Sequence, residues 1–250
     1  MKLLIVNPNI SQSVTDLIAT EAERSVSATT QLTLRTAAFG VAYIETRAEA
    51  AVGAYATLNE LAEHYAGHDA AIVAAFGDPG LEAAREMLPI PVVGMTESAL
   101  MSAAMLGGRI GIVAISRRIR AWYSETVDRY GMTSRLAGIR CLDEPLPNIG
   151  SVQQDKGEQL VALCEAAVRE DGADVLIIAG APLAGLARSV AAQIPVPVVD
   201  GVSCAVHQAE LLARLSPNKA TAGSYAVPPE KSWTGLSPAL GQLIGRQRIS

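Results

Sequence analysis

The chain has 250 residues, half of them hydrophobic, with few aromatics and a formal net charge of −5. That length is ample for a sizeable core in one large domain or two small ones. The acidic balance leaves no electrostatic footprint for nucleic acid or an anionic membrane surface, and the RQR at 246–248 is too short to change this.

The chain opens MKLLIVNPN, where Asn7 and Pro8 end the first apolar run after Val6. A secretory signal needs a longer apolar stretch, and no later run reaches the length of a membrane span. Cys141, Cys164 and Cys204 are scattered without CxxC spacing. A cytoplasmic protein with reduced thiols is therefore expected.

In chain order, short β-branched runs predict strands at 2–6, 31–37, 70–75, 91–94, 109–115, 136–141, 174–179 and 196–199. Ala-rich helical patterns fall between them, at 12–25, 46–66, 81–87, 97–105, 118–130, 155–170, 185–192 and 203–215. Such alternation implies a mostly parallel sheet arrangement with helices on both faces. Eight strands divide into two sets of four, so the expected fold is α/β, with two intertwined, pseudo-symmetric lobes over 1–215. From 216 to 250 a Pro/Gly/Ser-rich tail carries Tyr225, Trp233 and several Leu residues, which favours a segment packed on the body or a neighbour over a free linker.

The two sets repeat one another. AAIVAAFGDPGLEAAREMLPIPVVG at 70–94 parallels VLIIAGAPLAGLARSVAAQIPVPVVDG at 175–201. Ala75 falls opposite Gly180, Gly80 opposite Gly185, Leu81 opposite Leu186, and Ser98 opposite Cys204. Two related lobes facing each other across a pseudo-dyad bring these loops to one cleft. Ligands of open α/β sheets bind beyond the carboxyl ends of the strands. Those ends are Asn7–Asn9, Ala75–Pro79, Met95–Glu97, Ser116–Arg117, Gly180–Leu183 and Asp200–Val202. A Gly/Pro-rich loop entering a helix presents N–H groups suited to a carboxylate, an enolate or a ureido oxygen. Neither loop ends in GK[ST], and no GxGxxG follows the first strand, which disfavours a nucleotide.

NPN at 7–9, AFGDPGLEAARE at 74–86, IPVVG at 90–94, GAPLAGLA at 180–187 and PVVDGV at 197–202 resemble the Asp/Glu racemase superfamily, most of all its hydantoin and allantoin racemase branch. The resemblance spans essentially the whole chain. It implies a cofactor-independent enzyme, a homo-oligomer, and two thiols that exchange a proton on opposite faces of a small substrate. It also implies that the two thiol positions fall at Ala75 and Gly180, where this chain has no acid or base.

Other groups are therefore candidates for proton transfer: Asp78, Glu97, Asp200 and Cys204. Asp78 in DPG also suits a helix cap, Asp200 could hold the Gly201 turn, and Cys204 could be core. Substrate contacts are expected from Asn7, Pro8, Asn9, Ala75, Phe76, Gly77, Thr96, Ser116, Gly180, Ala181, Pro182, Gly201 and Val202, with hydroxyl caps the plain alternative for Thr96 and Ser116. Tyr43 and Glu45, in GVAYIETR, match a segment that the resemblance places over the substrate, with a surface loop the plain alternative. His64 and His68 have i, i+4 spacing but no evident third ligand, and they lie away from the strand carboxyl ends, so no metal is expected. His207 and Cys164 read as helix residues and Cys141 as a strand end. The reading is a racemase-like enzyme for a small carboxylate, hydantoin or ureido compound. Its rivals are a decarboxylase, lyase or hydrolase on the same scaffold, or a non-catalytic binder.

Overall fold

The computed structural model describes residues 1–143 and 149–245. The first lobe runs β1 (Lys2–Asn7), α1 (Gln12–Ser25), β2 (Gln31–Thr36), α2 (Arg47–His64), β3 (Ala70–Val73), α3 (Leu81–Met87), β4 (Val92–Gly94) and α4 (Met95–Leu106). The second runs β5 (Ile110–Ala114), α5 (Arg120–Arg129), β6 (Leu136–Cys141), α6 (Val152–Asp171), β7 (Val175–Ile178), α7 (Leu186–Val190), β8 (Val198–Asp200) and α8 (Gly201–Leu215). The sheets have the same order, β2-β1-β3-β4 and β6-β5-β7-β8, and every pairing is parallel. The two lobes expected from the duplication are thus present.

Strand composition follows strand position. Of the inner strands, β3, β5 and β7 are buried throughout and are continuous apolar runs, and β1 is buried from Leu3 on, as parallel strands covered on both faces require. The edge strand β2 instead alternates exposed and half-buried residues and reads QLTLRT. Helix α2 starts where Thr46 and Glu49 form a reciprocal capping box.

One apolar core runs through both lobes, joining Leu3, Ile5 and Ile72 to Ile110, Ile112 and Val175. Helices α4 and α8, equivalent in the two halves, pack on each other. Gly201 makes this close approach possible: a Cβ there would lie 2.3 Å from Met95 Cγ and 3.1 Å from the Met95 carbonyl oxygen. Beyond α8, the short helix α9 (Pro238–Ile244) has Ser237 as its cap and buries Leu240 and Leu243 in the first lobe beside Leu61 and Leu81. The RQR at 246–248 lies outside the described residues. No helix among the described residues is long and apolar enough to cross a membrane.

Candidate functional site

The carboxyl ends of the central strands of both sheets meet at one cavity. Its lining is Asn9 after β1, Ala75 and Phe76 after β3, Ile115 and Ile119 after β5, and Gly180, Ala181 and Pro182 after β7. Tyr43 and Ile44 reach in from the β2–α2 connection, and Tyr123 from α5. The space it leaves is small, about 30 Å³. Tyr43 and Ile44 on its wall belong to the irregular segment between β2 and α2.

Seven expected contacts come together here: Asn9, Tyr43, Ala75, Phe76, Gly180, Ala181 and Pro182. The others support the site from behind. Asn7 is buried and donates through Nδ2 to Asn9 Oδ1, Thr15 Oγ1 and the Ser11 carbonyl, while Pro8 is buried beside it. Thr96 Oγ1 accepts the N–H of Gly77 at 2.5 Å, and the Gly77 carbonyl accepts from Arg129. Ser116 Oγ accepts from the Arg118 N–H at 3.1 Å. Gly201 and Val202 form the start of α8 against α4.

The four candidates for proton transfer are all placed outside the cavity lining. Asp78 is fully buried, and its carboxylate accepts from the N–H groups of Thr96 (2.8 Å) and Glu97 (2.9 Å) and from the Tyr130 hydroxyl (2.7 Å). It caps α4, which its position in DPG before α3 does not reveal. Burial pushes its pKa up to about 6, against the pull of those donors. Glu97 pairs with Arg85, which also donates to the Val92 carbonyl. Asp200 accepts from the N–H groups of Val202 and Ser203 and from the Ser203 hydroxyl, each at 2.9 Å, and burial raises its pKa. Cys204 is buried on α8, where loss of solvent pushes its thiol up to about 11. Cys141 and Cys164 are buried too, and burial likewise moves each to about 11. Reactive thiols are depressed, exposed ones.

No α-helix N-terminus supplies the cavity's donors. Helices α3 and α7 are short and begin beyond the left-handed Gly80 and Gly185, whereas Asp78 and Asp200 occupy the N-termini of α4 and α8. The lining offers loop and side-chain donors instead. The N–H groups of Ala75, Phe76, Gly180 and Ala181 have no acceptor among the described residues. Asn9 commits its Oδ1 to Asn7 and Ser11, and its Nδ2 has no acceptor among the described residues. The Ala75, Gly180 and Ala181 carbonyls already accept from Asp78, Leu183 and Ala184.

No charged side chain lines the cavity among the described residues. An oxygen-rich, uncharged ligand satisfies such a wall, whereas a buried carboxylate without a cation is costly. Donors arranged in this way also stabilise an enolate oxygen. No group of His, Cys, Asp and Glu able to hold a metal occurs among the described residues.

Tyr123 was not singled out from the sequence. Its ring is buried between Phe76 (centroids 4.6 Å apart) and Trp122 (5.6 Å). In AWYSETV it reads as an ordinary core position of a helix, and only the approach of α5 to the first lobe's loop shows otherwise.

Residues 3–209 match the family described as Asp/Glu/Hydantoin racemase. A hydantoin racemase of Paenarthrobacter aurescens is 35% identical over 93% of this chain and 100% of its own length. The structure of an allantoin racemase from Klebsiella pneumoniae superposes with a TM-score of 0.91 at 29% identity, covering 96% of this chain and 98% of that one. For an allantoin racemase from Pseudomonas fluorescens the TM-score is 0.88 at 32% identity, over 94% and 100% of the two chains.

Proposed function

The chain belongs to the Asp/Glu/hydantoin racemase family, and on that premise we propose that its cavity takes a hydantoin-type ring, an uncharged cyclic ureide, and stabilises the ring's enolate without a cofactor and without paired thiols. The observation that carries this is the lining itself: unsatisfied donors from both duplicated loops, no cationic side chain and no cysteine among the described residues. Ring carbonyl oxygens match those donors. The acidic ring carbon then lies between the loops of Ala75 and Gly180, and its proton exchanges through water or a hydroxyl. A second reading has support from the same lining, because it holds no carboxylate, imidazole or thiol: a protein that binds the ring and does not turn it over.

A thermal-shift series with 5-substituted hydantoins, allantoin, ureido acids and simple carboxylates tests the ligand class. Incubation of optically pure hits in D2O, followed by proton NMR and polarimetry, tests the reaction. The expected result is stabilisation by hydantoins, then loss of the C5 proton signal at unchanged substrate mass apart from deuterium. Stabilisation without exchange favours the binder, and a product of new mass favours a lyase, decarboxylase or hydrolase. Stabilisation by carboxylates alone would remove the hydantoin reading.

A further inference from the structure

Gly180 sits at φ +109°, in the region that L side chains rarely adopt. A Cβ built there would lie 3.7 Å from the Tyr123 hydroxyl. The phenol thus stands where a longer side chain at 180 would extend. Its ring is held by Phe76 of the opposite loop and by Trp122, so the hydroxyl has little freedom to leave.

A buried tyrosine hydroxyl ordinarily finds a partner. Tyr123 is 2% exposed and faces the cavity, and its hydroxyl makes no hydrogen bond among the described residues. Burial, with Cys141, Asp78 and Glu45 nearby, holds its pKa well above the ordinary value. It is therefore a neutral donor near neutral pH. Asn9 provides the matching unpaired donor from the first lobe.

Resting on the hydantoin reading above, we propose that Tyr123 is a specificity-determining residue: its hydroxyl donates to one ring carbonyl on the Gly180 side of the cavity. With no side chain at 180, that donor selects the ligand on this face. A carbonyl oxygen is accepted there, and a sulfur in its place is not, because thiocarbonyl sulfur is a weaker and larger acceptor.

The test is Tyr123→Phe, which keeps the ring between Phe76 and Trp122. Binding of a 5-substituted hydantoin and of its 2-thio and 4-thio analogues is measured for parent and variant, together with melting temperature. The expected variant melts at the same temperature or higher, since the hydroxyl it loses makes no hydrogen bond among the described residues. It binds the hydantoin about tenfold more weakly, and it loses the parent's preference for oxygen at one ring position. Unchanged affinity, or an equal loss for all three ligands, would overturn the assignment. Parent protein that binds none of the three would overturn the hydantoin reading as well, and that outcome is visible without the variant.

Discussion

At the scale of single residues, the buried carboxyl of Asp78 makes a measurable claim. Its pKa is raised from 3.8 to about 6 by burial, so the folded state binds its proton more tightly than the unfolded chain does. Stability from this group is complete below about pH 4 and is lost as pH rises through 6, a change of about 3 kcal/mol. Asp78→Asn removes that titration. Urea unfolding from pH 3.5 to 7.5 should show the variant gaining on the parent by about that amount across the window. A flat difference would mean the three donors on Asp78 cancel the effect of burial. Its neighbour in sequence, Gly77, illustrates the same division of labour, giving its N–H to Thr96 and its carbonyl to Arg129. These loop residues hold the cavity wall in place, and the ligand meets other atoms.

At the scale of elements, the contact of α4 with α8 sets how closely the two lobes approach. Gly201→Ala keeps a helix-compatible backbone but puts a methyl 2.3 Å from Met95 Cγ and close to α4 backbone. Overpacking of this kind should cost about 1–3 kcal/mol, read by denaturant midpoint. Because α8 follows directly from β8 beside the cavity loops, ligand stabilisation should fall in the same variant. No loss of stability would show that Met95 alone can give way. The eight strands and first eight helices were legible from hydrophobic periodicity and from Gly/Pro punctuation, with ends displaced by a few residues. Helices α4 and α8 begin at Met95 and Gly201, earlier than expected, because Asp78 and Asp200 cap them. Helix α9 was not anticipated as a helix. Its PALGQLI follows a long Pro/Gly/Ser-rich stretch, and its burial depends on the first lobe that receives it.

At the scale of the whole molecule, the lobes are tied by polar contacts as well as by the shared core. Arg188 of α7 reaches Glu21 of α1 at 2.6 Å, and Glu21 is 1% exposed with Oε2 unpaired. Arg188→Ala leaves a buried carboxylate with the Ser25 hydroxyl as its remaining side-chain partner. Because Arg188 is itself half exposed, the expected loss is about 1–3 kcal/mol. It should appear as a lower midpoint in a single cooperative transition, since the core passes through both lobes. Two separate transitions would show lobes that unfold independently.

The sequence by itself determined the elements, the duplication, the facing loops and the family they resemble, because strand runs, helix periods and turn residues are local signals. It also placed Ala75 and Gly180 on the cavity wall. Only the tertiary structure decided which polar groups serve the ligand and which serve the fold. Asp78, Glu97 and Asp200 look available on paper, yet each carboxylate is taken by nearby N–H groups or a cation: Asp200 by the next turn, Glu97 by Arg85, and Asp78 by Thr96, Glu97 and Tyr130, which are distant in sequence. Tyr123 looks like core until α5 crosses to the other lobe's loop. A hydrogen-bond donor is free or spent according to what surrounds it in space, and spacing along the chain carries no record of that.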